Sequence, residues 1–320
     1  METGSFIELG FQKGKEYYGF TGNIARLNSG RAAIYHALRL TGCKKIHLPY
    51  YQCDTVRDFL ARKGCEIGYY RIDSAFNPSE LNAGDGEAVL IVNYFGVMSS
   101  SRMATLAAKY KNVIIDNSQA FFAPPAENTY SVYSARKFIG VPDGAYVIGK
   151  EAQKYTVEYE QGFSSDTSLF LLQRIEYGCE GKAYGQRTLN EKRIDSEDIK
   201  LMSKLTRTIL DGADYEFIKN KRKENFEYAA KIFEDVNRID PTVYYDRTCV
   251  PMVYPLLCED ENLLPKLIEN KHFQGHWWSY LLKEMPEDSF EYYISKYIIP
   301  VTIDQRYGKE ELNFIRSLVK

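Results

Sequence analysis

The first half of the chain alternates between two hydrophobic rhythms. Over 28–40, Ala33, Ile34, Ala37 and Leu38 recur at helical spacing behind Ser29, a favourable N-cap, so a glycine-containing turn is expected to open a helix. A short apolar run at 46–49 predicts a strand, 52–63 a helix and 65–72 a β-rich stretch. Residues 88–93 and 112–116 are continuous apolar runs of the kind that lie buried on both faces of a parallel sheet, with a helix expected over 103–110 between them. Two more strands are expected at 130–134 and 144–148, separated by ARKFIGVPDG, whose Pro-Asp-Gly marks a turn. Strand and helix in succession predict an open α/β fold with a mostly parallel central sheet flanked by helices.

From 152 to 232 the composition turns charged and helix-favouring, with apolar positions at helical spacing over 194–202, so this stretch is expected to leave the sheet. The polar cluster at 178–197 predicts a mobile loop. Strands are expected at 242–245 and 250–258, a helix at 261–270, a short strand at 296–300 and a terminal helix at 309–319. This divides the chain into a large α/β domain with an N-terminal arm, 1–215, and a smaller C-terminal α+β domain, 216–320.

Composition narrows the function. With 41 Lys and Arg against 43 Asp and Glu, the net charge of −2 supplies no excess for holding nucleic acid or an anionic membrane. No apolar run approaches the roughly 18 to 20 residues of a membrane helix, and the N-terminus lacks the basic start and apolar stretch of a signal peptide, so a cytoplasmic protein is expected. The 6 cysteines are scattered and the 4 histidines show no ligand spacing, which argues against a metal site or a disulfide framework. The 26 tyrosines are spread along the chain and read as amphipathic core and interface residues.

Candidate chemistry lies at strand ends and in the turns after them, where open α/β sheets place their ligands. Asn28, Ser29, Gly30 and Arg31 offer a helix start, a hydroxyl and a guanidinium, which make either a phosphate site or an ordinary N-cap beside a surface arginine. Asp116 ends a buried strand, where its carboxylate needs a partner: a protonated ring nitrogen of a cofactor, or the turn DNSQA that it could cap. Lys137 follows a strand, three residues after Ser134 and ahead of Asp143-Gly144. Together the three segments are the minimum equipment for holding pyridoxal 5′-phosphate: an anion site, a counter-ion for the ring nitrogen and a Schiff-base lysine.

These segments resemble the DegT/DnrJ/EryC1/StrS sugar aminotransferases, which have the aspartate-aminotransferase-like (type I) pyridoxal-phosphate fold. NSGRAAIYHAL is similar to the S-G-T-A-A-L segment of that family, and VNYFGVMSSSRMATLAAKY to its V-H-x-x-G segment and following helix. NVIIDNSQAFFA is similar to E-D-A-A-Q-A-x-G, and YSARKFIGVPDGAYVIG keeps the family's spacing from lysine to glycine. The likeness runs from 28 to about 150; FQGHWW and the segment from 298 to 315 resemble C-terminal segments of some members less specifically.

The resemblance implies that Lys137 carries the cofactor, Asp116 faces its ring nitrogen and Gln119 lies by its ring hydroxyl, with Ser29, Gly30, Arg31 and Ser134 on its phosphate. It also implies a homodimer with sites at the subunit boundary, and amino transfer from an amino acid such as glutamate to a nucleotide-linked keto-sugar. Tyr94, His276 and Trp277 are the substrate candidates, although Trp277 and Trp278 read more readily as core and interface packing, and Arg306 as a partner of Asp304 or a helix cap.

Departures accompany the likeness. Val132 stands where the family carries a hydroxyl, which leaves Ser134 or Ser131 to serve. Cys53 stands where it carries the aromatic that stacks on the cofactor, so Tyr51, or else Tyr50, is expected to cover the ring, the alternative being that both tyrosines pack in the dimer interface and Cys53 itself lies against it. The N-x-R-M motif is reduced to Ile199-Lys200-Leu201-Met202-Ser203, and the chain is short for the family. The shortened loops and the missing stacking aromatic keep open an enzyme of the same fold acting on a small non-sugar ketone, and a non-catalytic binding or regulatory relative is the rival of another class.

Overall fold

The computed structural model describes residues 5, 7–20 and 22–319. Eight strands form one sheet: β1 (Ile24–Leu27), β2 (Lys45–Pro49), β3 (Glu66–Ile72), β4 (Pro78–Ser79), β5 (Ala88–Val92), β6 (Asn112–Asn117), β7 (Tyr130–Ser134) and β8 (Ala145–Ile148). They lie in the order β1-β8-β7-β6-β5-β2-β3-β4, and β3, β2, β5, β6 and β7 are parallel to their neighbours in that run. β8 is antiparallel to both β7 and β1, so β1 points the same way as β7.

The period of two decides what each face meets. Ala88 and Leu90 of β5 join Ile114 of β6 and Val132 of β7 in one apolar cluster with helices α1 (Gly30–Thr41) and α2 (Asp54–Arg62). Val89 and Ile91 join Val113 and Ile115 on the opposite face, with α3 (Ser100–Ala107) and the C-terminal elements. β5 is buried along its whole length, as its unbroken apolar run requires.

Beyond β8 come α4 (Leu169–Tyr177), α5 (Lys182–Ser196), α6 (Lys204–Asp211) and α7 (Tyr215–Phe233). A two-stranded antiparallel sheet, β9 (Val253–Leu257) with β10 (Ile298–Thr302), follows with α8 (Leu263–Glu269), α9 (Leu281–Glu284), α10 (Phe290–Tyr297) and α11 (Lys309–Leu318). Phe226, Ala229 and Phe233 of α7 pack into the same cluster as Val89 and Ile91, so one apolar core joins the large sheet to the C-terminal elements. No described helix is long and apolar enough to cross a membrane.

Four expectations are corrected. The stretch 178–197, expected to be a mobile loop, is mostly α5, which buries Ala183, Asn190 and Ile194 and packs against α4. The helix expected over 194–202 stops at Ser196; beyond it the chain runs beside β1, with Met202 N–H donating to the Arg26 carbonyl at 3.1 Å and Leu201 bridging Leu27. Residues 242–245 are not a strand, because Asp240 caps Thr242 N–H at 2.9 Å and Pro241 starts a 3-10 turn, Pro241–Tyr244. β1 itself was not expected, since IARL is only 4 residues long and interrupted by an arginine, too short a run to stand out until β8 covers it.

Gly96 shows how tightly the sheet edge is packed. It sits at φ +74°, and a Cβ there would lie 2.2 Å from the Gln119 carbonyl oxygen. Gly96→Ala is expected to destabilise the fold by about 3 kcal/mol through combined strain and clash. The urea midpoint should fall at constant slope; an unchanged midpoint would show that the loop relaxes away from Gln119.

Candidate active site

β1, β2, β5, β6 and β7 end on the same edge of the sheet, so the turns that follow them meet there. They bring together the start of α1, residues 50–53, 93–96, 116–119 and 134–137. A cavity of about 250 Å³ opens among them, lined by Ser29, Gly30, Arg31, Cys53, Asp116, Gln119, Ser134 and Lys137 along with other residues.

One wall is the N-terminus of α1. Ser29 adopts the extended backbone of an N-cap, and its hydroxyl accepts from Ala32 N–H at 3.3 Å. Helix geometry leaves the amides of Gly30 and Arg31 open towards the cavity, with the positive end of the helix dipole behind them. A Cβ at position 30 would lie 3.3 Å from Ser118 Oγ and 4.0 Å from Ser134 Cβ, so the absent side chain keeps room between three hydroxyl-bearing turns.

Asp116 forms the floor and is 6% exposed. One carboxylate oxygen accepts from Ser118 N–H at 2.9 Å and the other from Gln52 Nε2 at 3.3 Å. Both donors are neutral, so among the described residues the carboxylate has no cationic partner in direct contact. Gln52 Oε1 beside it is buried with no hydrogen-bond partner. Gln119 accepts from Phe95 N–H at 2.7 Å, which fixes its amide against the 94–96 turn.

Lys137 ends the 3-10 turn Ala135–Lys137 directly after β7, is exposed, and makes no ion pair among the described residues. The loop behind it is fixed from several sides. Asp143 accepts from Ser203 N–H at 2.9 Å, Ser203 Oγ at 2.8 Å and the Thr206 hydroxyl, while Gly144 N–H donates to the Asn28 carbonyl at 2.9 Å. The lysine and the start of α1 are therefore tied together through the backbone.

Two arginines on the cavity wall are held by α5. Arg31 pairs with Asp195 and Arg136 with Glu191, two carboxylates four residues apart on one helix face. Burial pulls the Arg136 pKa below its ordinary value, opposed by Glu191 and assisted by the neighbouring charges of Arg31 and Arg187. Trp278 completes the lining from the C-terminal part of the chain.

Five expected residues do not line this cavity. Tyr51 is 1% exposed and sits edge-on to Trp278, with ring centroids 4.4 Å apart, in the apolar cluster behind the wall. Tyr50 stacks on Tyr69 at 5.1 Å, and the Tyr94 hydroxyl donates to the Tyr51 carbonyl at 2.9 Å. Trp277 stacks on Phe95 at 5.5 Å, and His276 Nδ1 lies 3.0 Å from the Ile298 carbonyl. All of these groups are held by packing or backbone contacts. Cys53 does reach the cavity, as the N-cap of α2, and Arg306 forks onto Asp304 at 2.9 and 2.7 Å.

The residues not anticipated are Gln52, Ser118, Arg136, Glu191, Asp195 and Trp278. The first three adjoin motif positions already singled out. Glu191 and Asp195 carried one readable signal, their spacing of four, within a segment expected to be a loop.

No protein-family model matches the sequence, and no curated protein matches it. Solved structures do. A DegT DnrJ EryC1 StrS aminotransferase from Brucella abortus superposes with a TM-score of 0.61 at 12% identity, covering 92% of this chain and 84% of its own. A protein named as a putative sugar aminotransferase, from Streptococcus pneumoniae and in its PLP form, gives 0.63 at 11% identity, with 93% and 86% covered. GDP-4-keto-6-deoxymannose-3-dehydratase (ColD), a mutant with bound GDP-perosamine, gives 0.63 at 12% identity, with 93% and 88% covered. At such identities the likeness speaks of architecture, and the chain has the fold of these three proteins along nearly its whole length.

Proposed function

We propose that this chain is a pyridoxal-phosphate-dependent aminotransferase that moves an amino group from an amino acid, glutamate by preference, to a keto-sugar carried on a nucleotide. One observation carries the reading: a single cavity collects an open helix N-terminus with a buried carboxylate and a lysine that, among the described residues, have no ion-pair partner. The residues present fit pyridoxal 5′-phosphate. The amides of Gly30 and Arg31 with the hydroxyls of Ser29, Ser118 and Ser134 suit its phosphate, and Asp116 suits a protonated ring nitrogen. Gln52 Oε1, buried and unpartnered, is an acceptor waiting for a donor.

Bound there, the cofactor supplies an electron sink for the carbanion left when a substrate carbon loses its proton. Asp116 keeps the ring-nitrogen proton in place. Lys137, exposed and free to swing, takes the proton from the substrate carbon and returns it one position along, while Asp143 and Gly144 hold the turn that carries it. Trp278 gives the site an aromatic wall in the absence of one at Cys53, and helps exclude water. The active form in this reading is a homodimer, in keeping with the resemblance noted from sequence.

Reconstitution tests it. The chain incubated with pyridoxal 5′-phosphate and dialysed should turn yellow, borohydride should fix the cofactor to Lys137, and glutamate should replace the yellow band by that of the amine form. A chain that stays colourless and takes up no cofactor overturns the reading in favour of a non-catalytic relative.

A further inference from the structure

Arg222 of α7 buries a charge outside the candidate active site. It is 2% exposed and makes no ion pair among the described residues; its acceptors are the Gln305 amide and the Pro251 and Met252 carbonyls. Burial pulls its pKa down to about 10, opposed by the charge of Asp304, which is itself forked onto Arg306. A guanidinium kept in the interior on neutral acceptors is costly, so its place needs a reason other than stability.

Those acceptors lead to both sides of the cavity. Nε donates to Gln305 Oε1 at 3.1 Å, and Gln305 Nε2 passes the contact on to the Phe138 carbonyl at 3.0 Å. The guanidinium carbon lies 4.5 Å from the centre of the Phe138 ring, so the residue next to Lys137 is held both by its face and by its backbone. On the other side Nη1 donates to the Met252 carbonyl at 2.9 Å, Met252 N–H donates to the Phe95 carbonyl at 2.8 Å, and Phe95 N–H is the donor that fixes Gln119. That side has no slack, since a Cβ on Gly96 would lie 3.1 Å from Met252 N.

Neither Arg222 nor Gln305 lines the cavity, so what they can supply is placement. Lys137 is delivered on a 3-10 turn of 3 residues, whose hydrogen-bond geometry is weak and whose orientation therefore depends on tertiary contacts. Asn225, three residues along α7 from Arg222, donates to the Tyr307 carbonyl at 3.0 Å and so fixes the loop that presents Gln305. We infer that Arg222 and Gln305 are positioning residues that hold the turn carrying Lys137 against the Phe95–Gln119 wall, so that the C-terminal part of the chain sets the reach of the lysine amine. That this amine receives a cofactor rests on the aminotransfer reading; the brace itself does not.

Replacing Arg222 would remove several buried contacts at once, so the test uses Gln305, which is only partly buried. Gln305→Glu keeps an acceptor for Arg222 Nε and gives the guanidinium a counter-charge, but it replaces the donor to Phe138 by an oxygen that repels the carbonyl. Its melting temperature should stay near that of the wild type. In the cofactor-free chain the amides of Phe138 and Ile139, which both donate to the Ala135 carbonyl, should exchange hydrogen about tenfold or more faster, with those of α1 unchanged. On incubation with pyridoxal 5′-phosphate, the yellow band and the borohydride-fixed label at Lys137 should grow about tenfold more slowly. Gln305→Ala should share both effects and lower the melting temperature as well, because Arg222 Nε is then buried without its acceptor. Unchanged exchange at Phe138 and Ile139, or faster exchange with labelling at the wild-type rate, overturns the inference. Should the wild type take up no cofactor, the aminotransfer reading fails separately and exchange alone decides the brace: faster at Phe138 and Ile139 supports it, unchanged overturns it.

Discussion

Lys137→Ala is expected to abolish amino transfer, with a fall of at least about 10⁴-fold, while leaving the fold unchanged. The side chain is exposed and makes no ion pair among the described residues, so its loss should shift the melting temperature little. The catalytic loss is large because one amine does two tasks: it tethers the cofactor covalently and moves the proton at the substrate carbon. These tasks separate in the test. Borohydride should label the wild type at Lys137 and leave the alanine variant unlabelled, even where the variant still binds cofactor through the start of α1 and Asp116. Lys137→Arg should fail equally, since a guanidinium holds its proton too tightly to act as a base. Turnover near the wild-type rate in Lys137→Ala would remove the lysine from the mechanism and with it the present reading of the cavity.

How far the sequence foretells this site depends on whether each residue's position is set locally. Asp116 and Lys137 were legible because each follows a run whose neighbours admit one placement: NVIID is buried on both faces, so its final carboxylate lands at the sheet edge, and Tyr130–Ser134 ends just before the lysine. Ser29 and Gly30 were legible as a helix start for the same local reason. Tyr51 illustrates the limit. Its neighbours place it in the turn after β2, but whether its ring turns to the cavity or to the core is decided by Trp278, 227 positions away in the chain, which meets it edge-on. The choice between Trp277 and Trp278 is of the same kind: the two rings pack on each other with centroids 5.6 Å apart, yet one also stacks on Phe95 while the other lines the cavity. Glu191 and Asp195 were hidden because α5 has a weak apolar stripe, burying Ala183, Asn190 and Ile194 only, so its helical character comes from docking as much as from pattern.

Asp116→Asn should produce an equally informative loss, with opposite effects on the two states of the protein. In the chain without cofactor, Asp116 is a buried carboxylate satisfied by two neutral donors, Ser118 N–H and Gln52 Nε2. Asparagine removes the buried charge, so the melting temperature of that form should hold or rise. Its amide cannot serve both neighbours unaided: with its oxygen towards Ser118 N–H, its nitrogen faces the Gln52 amide, and Gln52 must turn its unpartnered oxygen inward to receive it. The site then presents no anion to the ring nitrogen, and the pair that held the ring proton is lost. Removing one member of a buried ion pair costs about 3–5 kcal/mol, so amino transfer should drop by roughly 10²- to 10³-fold or more, accompanied by weaker cofactor retention on dialysis and an altered cofactor band. The combination discriminates among causes. A general loss of folding would lower the melting temperature of the cofactor-free form along with activity, whereas the charge argument requires that form to remain stable while the loaded form alone suffers. Wild-type rates with a wild-type spectrum in Asp116→Asn would show that the carboxylate serves only to cap the turn after β6, the alternative that its hydrogen bond to Ser118 N–H keeps in view.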